Sequence, residues 1–389
     1  MKEFKTIVNE YRKVDLNHRK AALATVVQVR GSSYRSPGAR MLITDDGRWV
    51  GSISGGCLEG DALRKARQVM TDQKPITVTY DTNEESNQNL GINLGCNGVI
   101  DVLIEPAQSS IELFEKFIES KEPLALATIF SKERIAKKLL INSLQKEIQS
   151  FGDLDLNQKV GKDLAQLFSS NKSGARKYII NEKEIEVFIE LIQPSVKLIL
   201  FGGGVDARPV SQLAKSLGWE VEVTDECVAH IAPVFFPAAD KLSLCQREFV
   251  DRDFNITPYT ACVLISHNYE YDRDVLKKLL GSETPYIGIM GPRKRFDKML
   301  DEFSKQGIVL SHQDHERIHS PIGLDIGAET PDEIALSVIA EVQSKFTNRN
   351  AGFLKVRNAP IHERDTNSDQ VFKQIYLGKE EQVKSIKDH

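Results

Sequence analysis

Two cysteines in glycine-rich segments are the residues of this chain best suited to chemistry. Cys57 lies in SGGCLE, residues 54–59, and Cys96 lies in GCNG, residues 95–98. Glycine lets the backbone turn tightly and lets another group approach closely, so we expect both thiols to be presented at turns. A lone cysteine is often a small apolar filler, but two in the same setting favour a functional role. The glycines that frame these thiols are Gly55, Gly56 and Gly95.

The segment after Cys57 is predicted to be a helix, because its apolar residues recur at helical spacing. These residues are Leu58, Ala62, Leu63, Ala66, Val69 and Met70. Cys57 is therefore expected near a helix N-terminus. There the helix dipole favours a thiolate, and free backbone amides favour an anionic ligand.

The composition excludes several classes of protein. With 389 residues and 41% hydrophobic content, the chain is long enough for two or three domains. A net charge of −4 gives no electrostatic reason to bind nucleic acid. Five cysteines without dense even spacing do not make a disulfide framework. The chain shows no signal-like N-terminus and no long apolar run, so we expect a cytoplasmic protein with reduced thiols and no membrane contact.

Strands dominate the first part of the chain, which predicts an α+β domain over residues 1–192. A helix is expected near residues 3–14, and residues 143–176 are read as mixed helix and loop. No internal repeat is apparent. The expected strands are 22–29, 40–43, 49–54, 76–80, 99–105, 124–130, 139–142, 178–180 and 185–191.

Beyond residue 193 the pattern changes to alternating strands and helices, which predicts a parallel sheet covered on both faces. The overall fold class is therefore α/β, with an N-terminal α+β domain followed by a Rossmann-like, doubly wound parallel-sheet domain over residues 193–345. Thr330, Pro331 and Glu333 are expected to cap a final helix. Residues 346–389 are polar and are read as a tail.

A dinucleotide-like fingerprint opens this second domain. Gly202 and Gly204 follow a hydrophobic strand, Ala207 lies in the next helix, and Asp225 ends the following strand. In such an arrangement the glycines allow a tight turn and the approach of a pyrophosphate, and the acid accepts a hydrogen bond from a ribose hydroxyl. The pattern predicts a Rossmann-like fold. It does not by itself establish dinucleotide binding, because glycines at these positions also serve helix–sheet packing.

Two further groups follow strands of the same domain. His267 comes after a strand at 261–266, and Arg293 comes after a strand at 286–290. Open α/β sheets bind ligands at the carboxyl ends of their strands, so both side chains are candidates for ligand contacts. The alternatives are a histidine that caps a strand end and an arginine on a solvated basic face.

Several long motifs resemble the XdhC/CoxI family, and the resemblance extends from about residue 20 to about residue 345. A second glycine is common in the family where this chain has Asn97. The motifs are GSSYRSPGARM at 31–41, VGSISGGCLE at 50–59, LGCNG at 94–98, FGGGVDARP at 201–209 and SPIGLDIGAETP at 320–331.

The resemblance implies an accessory protein that binds molybdenum cofactor (molybdopterin), assists its sulfuration and delivers it to an apo molybdoenzyme of the xanthine dehydrogenase type. Cys57 would then contact the cofactor molybdenum, Cys96 would supply a second thiol, and Arg40 would be a counter-charge. A cysteine desulfurase is a further implied partner, and the resemblance favours a homodimer. The chain itself lacks the cysteine groups that the iron–sulfur clusters of a xanthine dehydrogenase need, so a chaperone is favoured over an enzyme.

Two alternatives remain open. One is an NAD(P)-dependent oxidoreductase that uses the second domain, and the other is a regulatory protein that senses a nucleotide there. For any ligand, the candidate binding residues in the second domain are Gly202, Gly204, Asp225, His267 and Arg293.

Overall fold

The computed structural model describes residues 1–15, 18–31, 33–81 and 98–357. It contains two compact units, the first unit formed by Glu3–Pro194 and the second unit by Ser195–Arg357. Two antiparallel sheets lie in the first unit and one parallel sheet lies in the second. The predicted fold class, an α+β part followed by a Rossmann-like part, is confirmed.

The first unit begins with a helix and an antiparallel sheet of strand order β3-β2-β1-β5-β4. Helix α1 is amphipathic, and its buried side chains include Phe4 and Ile7. Strand β1 is the central strand and is almost wholly buried, as its β-branched and alanine residues allow. The elements are α1 (Lys2–Arg12), β1 (Ala21–Gly31), β2 (Arg40–Thr44), β3 (Trp49–Gly51), α2 (Glu59–Asp72), β4 (Ile76–Asp81) and β5 (Gly98–Pro106).

The rest of the first unit forms a second antiparallel sheet, of order β8-β7-β6-β10-β9. The stretch read as mixed helix and loop contains a short strand and a well-formed helix of 17 residues, which Asp153 caps through its side chain. The elements are α3 (Gln108–Glu119), β6 (Leu124–Ile129), β7 (Lys138–Asn142), β8 (Glu147–Gln149), α4 (Leu154–Ser170), β9 (Gly174–Ile180) and β10 (Lys183–Ile192).

The two halves of the first unit repeat one topology, which corrects the expectation that the chain has no internal repeat. Each half runs helix, three strands, helix, two strands, and the strands pair in the same order. We call α1 to β5 the first repeat and α3 to β10 the second repeat. The sequence ALAT occurs at the same place in both central strands, at residues 22–25 and 125–128.

Strand register places matching residues at matching positions of the two repeats. Thr25 pairs with Arg40 in the first repeat, and Thr128 pairs with Lys138 in the second. In the same way Leu23 lies opposite Glu105, and Leu126 lies opposite Glu190. The shared register, beyond the shared topology, shows that the repeat extends to individual side chains.

Each repeat buries one face of its sheet under its second helix. Small residues on α2, Ala62 and Ala66, let that helix approach the first sheet closely. The larger Val160 and Leu164 take the corresponding positions on α4 against the second sheet. The cysteine-bearing segment lies at the start of α2, so it rests directly on this packed layer.

The second unit is a six-stranded parallel sheet of order β13-β12-β11-β14-β15-β16 with helices around it. The predicted capping box of Thr330 and Glu333, with Pro331 in the first turn, is confirmed at the start of α10. The elements are β11 (Lys197–Phe201), α5 (Ala207–Ser216), β12 (Glu220–Asp225), β13 (Lys241–Leu244), α6 (Val250–Asp253), β14 (Thr260–Leu264), α7 (Tyr269–Leu279), β15 (Tyr286–Ile289), α8 (Arg293–Lys305), α9 (His312–Arg317), β16 (Ile318–His319) and α10 (Pro331–Phe346). Short 3₁₀ helices are Val228–Ile231, Arg247–Phe249 and Leu354–Val356.

The chain reverses its direction of travel across this sheet between β11 and β14, which are neighbours although they are three steps apart in sequence order. This point is the topological switch point of a doubly wound sheet, where ligands of such folds bind. The glycine turn after β11 and the segment after β14 both lie there.

Candidate functional site

Cys57 lies in a loop between β3 and α2 and is half-buried. Its side chain packs against the hydrophobic core beneath the first sheet, so the thiol is neither fully exposed to solvent nor fully buried. The prediction that it precedes a helix is confirmed, because α2 begins at Glu59. The glycines before it shape the loop: Gly56 has a φ of +112°, which L side chains rarely adopt.

The loop is held from within by the carboxylate of Glu59, whose residue is only 7% exposed. Its Oε1 accepts hydrogen bonds from Ser52 Oγ at 2.8 Å and from the Ser54 amide at 2.9 Å. Its Oε2 accepts from the Ser54 hydroxyl and from the Leu58 amide. Burial alone would raise the pKa of Glu59, but these hydrogen bonds outweigh it, so the pKa lies below the ordinary range of a glutamate.

The hydrogen bonds of this loop change one sequence expectation. The amides of Ser54 and Leu58 already donate to Glu59, and that of Gly56 donates to Ser54 Oγ at 3.2 Å. These amides are therefore not free to bind an anion, as the position at a helix N-terminus had predicted. The half-buried thiol of Cys57 is the soft donor of this loop.

An aromatic ring lies beside the glycines of the cysteine loop. A Cβ added at Gly55 would lie 3.5 Å from the ring of Tyr34, which is 69% exposed. A Cβ added at Gly56 would meet no atom of the described residues within 4 Å. Among the residues that the structure describes, the Cys57 loop thus has the ring of Tyr34 on one side and room for a further group beside Gly56.

The segment that carries Tyr34 also holds buried polar atoms without hydrogen-bond partners. Within the part of the chain that the structure describes, Ser33 Oγ, Arg35 Nε and Ser36 Oγ have no partner. Arg35 does pair with Glu3, through its Nη2, at 2.6 Å. Buried polar groups are normally hydrogen-bonded, so three unsatisfied donors within four residues fit a ligand or water that completes them.

Arg40 lies inside the fold rather than at a ligand surface. Its guanidinium forms an ion pair with Glu190, donates to the Gly38 carbonyl and lies over the rings of Phe4 and Phe114. The side chain is only 5% exposed. Its charge is therefore already balanced, and its role as a counter-charge for a cofactor stays a prediction without support from these contacts.

Gly95 and Cys96 lie outside the described residues. The predicted meeting of the two thiols therefore stays a prediction.

In the second unit, Gly202 and Gly204 lie at the switch point as expected. A Cβ at Gly202 would come within 2.5 Å of the Ser266 backbone, and one at Gly203 would come within 2.5 Å of the His230 carbonyl oxygen. A Cβ at Gly204 would meet only the His267 ring, at 3.7 Å. Packing thus requires glycine at the first two positions, whereas at Gly204 the described residues leave room for a side-chain carbon.

Asp225 is engaged by its own loop. Its Oδ2 accepts from the Gly203 amide at 2.9 Å and lies 3.1 Å from His230 Nδ1, and its Oδ1 accepts from the Cys227 amide at 2.8 Å. The carboxylate therefore stabilises the glycine turn. A ribose hydroxyl could bind Asp225 only alongside the donors that its two oxygens already have.

His267 follows β14 with a φ of 61°, and its Nε2 lies 3.0 Å from Asp206 Oδ2 at the start of α5. It is therefore brought together with Gly204. Arg293 instead is exposed and pairs with Asp297, whereas its neighbour Arg295 turns inward to Asp272. The sequence reasoning missed Asp206, Ser54 and Glu59 as partners, although Glu59 stands only two residues after the cysteine.

No helix among the described residues is both long and apolar enough to cross a membrane. Over the same residues, no group of three or more histidine, cysteine, aspartate or glutamate side chains is arranged to hold a metal ion.

Two family models match the chain. The one described as the XdhC and CoxI family matches residues 16–81, and the one described as the XdhC Rossmann domain matches residues 198–342. The first match includes the Cys57 loop and the second includes the switch point.

Related proteins match over most of their length. A protein named a probable xanthine dehydrogenase subunit, from Bacillus subtilis, is 31% identical over 327 residues, covering 84% of this chain and 93% of that protein. The molybdenum cofactor insertion chaperone PaoD from Escherichia coli is 24% identical over 326 residues, covering 83% of each. A crystal structure titled a xanthine dehydrogenase, from Bacillus halodurans, has 28% identity and a TM-score of 0.72, covering 89% of this chain and 97% of that chain.

Proposed function

The chain belongs to the XdhC and CoxI family, and from this premise we propose that it binds molybdenum cofactor, assists its sulfuration and delivers it to a xanthine dehydrogenase-type molybdoenzyme. The relative named as a molybdenum cofactor insertion chaperone supports this proposal. The proposed partners are the apo molybdoenzyme, a cysteine desulfurase and a second copy of the chain.

The observation that carries the proposal is the half-buried thiol of Cys57 in its glycine loop. Thiolates are soft donors that suit a soft metal and sulfur chemistry. The amides of Ser54, Gly56 and Leu58 are already bonded inside the loop, and the half-buried thiol is the soft donor that the loop offers a ligand. Cys57 would contact the molybdenum end of the cofactor, and Cys96 is proposed as a second thiol.

The residues beside the thiol fit the remainder of such a ligand. A pterin is flat, and the exposed ring of Tyr34 would pack against it. The cofactor carries a phosphate, and the unsatisfied donors of Ser33, Arg35 and Ser36 would hold an oxyanion through hydrogen bonds. When bound, the cofactor supplies the metal and its sulfur ligands, while these residues bind and orient it.

A second candidate function is nucleotide binding by the second unit. It is favoured by the switch point between β11 and β14 together with the open position at Gly204. Because Asp225 is engaged by its own loop, this candidate rests on the switch point and on Gly204 rather than on a ribose contact of Asp225.

The proposed delivery is tested by reconstitution. Protein isolated from a molybdate-replete host is incubated with a cofactor-free xanthine dehydrogenase-type enzyme, and the recovered activity is measured. The proposal expects recovery with the wild type, a several-fold loss with Cys57→Ser, and full recovery with Cys227→Ser, which removes an exposed thiol of the second unit. Failure of the wild type to restore any activity would reject the delivery function.

A further inference from the structure

We propose that two copies of this chain bind each other by inserting an apolar segment of one copy into an apolar pocket of the other. The segment is residues 353–356 of the second unit, and the pocket lies in the first unit between α1 and the β2–β3 hairpin. The inference rests on the proposed function in one respect, because a second copy is among the partners proposed above. It adds the surface through which that copy binds.

The segment presents three large apolar side chains to solvent. Phe353, Leu354 and Val356 are 78%, 62% and 70% exposed, and the last two belong to a 3₁₀ helix. Single exposed apolar side chains are ordinary on a protein surface, but three within four positions form an apolar patch of the kind that marks a contact with another molecule. The ammonium group of Lys355 lies 5.4 Å from the centre of the Phe353 ring, so the patch has one cation beside it.

The pocket is an apolar cavity of about 470 Å³, lined by Val14, Leu42, Trp49 and Val50 among others. Leu42 and Val14 are buried, so they form its base. The ring of Trp49 is 55% exposed and therefore stands at its mouth. A cavity of this size falls within the range of about 300–1,000 Å³ that is usual for binding pockets. One chain thus carries both an exposed apolar segment and an apolar pocket that can receive it.

The charges at the mouth of the pocket complement the segment. Its two charged lining residues are Glu10 and Arg48. The guanidinium of Arg48 already donates to Asp46 at 2.9 Å, so its charge is balanced. Glu10 accepts from Lys13 at 2.6 Å, and a carboxylate has lone pairs for further donors. Glu10 can therefore bind Lys355 of the second copy while the apolar side chains enter the pocket.

Reciprocal insertion supplies the area that a stable dimer needs. A buried side chain of this size removes about 100 Å² of apolar surface from water, and the pocket that receives it loses a similar area. Two segments in two pockets then bury about 1,200 Å², at the lower end of the range of about 1,200–2,000 Å² for specific interfaces. In a two-fold dimer each contact occurs twice, so both insertions form together.

The pocket lies on the face of the first sheet that is turned away from Cys57. Leu42 belongs to the core on the α1 side of this sheet, whereas Met41 and Cys57 belong to the core beneath α2. Successive residues of a strand point to opposite faces, as Met41 and Leu42 do here. Docking at the pocket therefore leaves the thiol uncovered, and dimerisation can be tested separately from cofactor binding.

The test uses one variant of the segment and one of the pocket in the full-length chain. Phe353→Asp places a charge on the segment, and Trp49→Arg places one at the mouth of the pocket; both positions are exposed, so the fold should be retained. Sedimentation velocity measures the molar mass over a range of concentrations. We expect a dimer for the wild type and a dissociation constant raised by about thirtyfold or more in each variant, as for the loss of an aromatic anchor. Val309→Asp, at an apolar residue that is 84% exposed, is the matched control and should dimerise like the wild type.

An equimolar mixture of the two variants should form dimers again. In that pair the Trp49→Arg copy supplies an intact segment and the Phe353→Asp copy supplies an intact pocket, so one of the two insertions is retained. Fluorescence reports the pocket directly, because the chain has two tryptophans and the other, Trp219, is only 5% exposed. The emission of the wild type should move to shorter wavelength as dimers form, and that of Phe353→Asp should not.

Dimers of Phe353→Asp as stable as those of the wild type would overturn the proposal. If Trp49→Arg alone then prevents dimerisation, another part of the second copy occupies the pocket. A mixture that stays monomeric, or a dimer that forms without a change in tryptophan emission, would overturn it as well. A wild type that is monomeric at every concentration would also remove the second copy from the proposed partners. The cofactor function is read separately, from the molybdenum content of Cys57→Ser, and neither Phe353→Asp nor Trp49→Arg should change that content.

Discussion

Arg40 and Glu190 form a buried ion pair between the two sheets of the first unit. Lys138 and Glu105 form the reciprocal pair, at matching register positions. Each repeat therefore sends one cation from its second strand and one anion from its last strand to the other. Arg40 is therefore one of four charged residues that join the two repeats through symmetric ion pairs.

Replacing Arg40 should destabilise the protein according to how well the new residue pairs with Glu190. Arg40→Met leaves a buried carboxylate without its partner, which costs about 3–5 kcal/mol. Arg40→Lys installs the cation that the second repeat uses, and the loss of one hydrogen bond to Gly38 costs about 1 kcal/mol. Urea unfolding measures both, with the exposed Arg293→Met as a control near wild-type stability. Equal stability of the Met and Lys variants would contradict this role.

The glycines at the switch point should differ in their tolerance of alanine. In Gly203→Ala the new methyl group would lie 2.5 Å from the His230 carbonyl oxygen, so the backbone must shift at a cost of about 1–3 kcal/mol. In Gly204→Ala the nearest atom is a ring carbon of His267 at 3.7 Å, an ordinary contact. Thermal unfolding should show a lower midpoint for the first variant only. A lowered midpoint for both would mean that Gly204 is also a packing glycine.

The thiols of the described residues should differ sharply in reactivity. Burial, with the Asp253 carboxylate nearby, raises the pKa of Cys245 to about 11, and burial raises the pKa of Cys262 to about 12. Both are therefore neutral and enclosed at about pH 8, whereas Cys57 is half-buried and Cys227 is exposed. Native alkylation followed by peptide mass spectrometry should label Cys57 and Cys227 first. Labelling of Cys262 before Cys57 would refute the described packing.

Acid should remove a stabilising contribution from Glu341. Burial would raise its pKa, but hydrogen bonds from His319, Tyr286 and the Gly323 amide outweigh it and hold the pKa below the ordinary range of a glutamate. A carboxylate with a lowered folded-state pKa stabilises the fold above its unfolded pKa, and this contribution is lost as the pH falls through the folded value. The difference in thermal midpoint between wild type and Glu341→Gln should therefore shrink from about pH 7 to about pH 3.

The exposed Glu283→Gln serves as the reference for that titration. Its thermal midpoint at about pH 7 should lie close to that of the wild type, because the side chain is exposed. A Glu341→Gln difference that stays constant throughout the acid range would show that the charge of Glu341 does not stabilise the fold.

Local sequence patterns predicted most helices and strands, because hydrophobic periodicity and the capping and turn residues at element ends depend only on neighbouring positions. The cap at Thr330 and Glu333, strand β2 and the helix that follows Cys57 were predicted for this reason. Strand β8 has only three residues, and α4 is rich in polar ones, so neither stood out within residues 143–176. The repeat was missed because little more than the ALAT segment is identical, whereas strand register depends on partners far apart in the chain.

The site was predicted in part for the same reason. The glycine and cysteine residues predicted the Cys57 loop. The alternation of strands and helices predicted a glycine turn at the switch point of the second sheet. The partner of Arg40, however, is 150 positions away in the chain. The sequence therefore showed only the positive charge of Arg40, which suggested an anionic ligand, whereas in the fold Glu190 balances that charge. The engagement of Asp225 by its own loop depends likewise on the Gly203 amide of another strand end.

Molybdenum and pterin content per chain, measured on protein from a molybdate-replete host, tests the role of Cys57 most directly. Cys57→Ser keeps the size of the side chain and removes the soft donor, and Cys227→Ser is the matched control because its thiol is exposed in the second unit. The account predicts a several-fold lower content for Cys57→Ser and wild-type content for Cys227→Ser, with both variants folded. Equal content in all three proteins would contradict it.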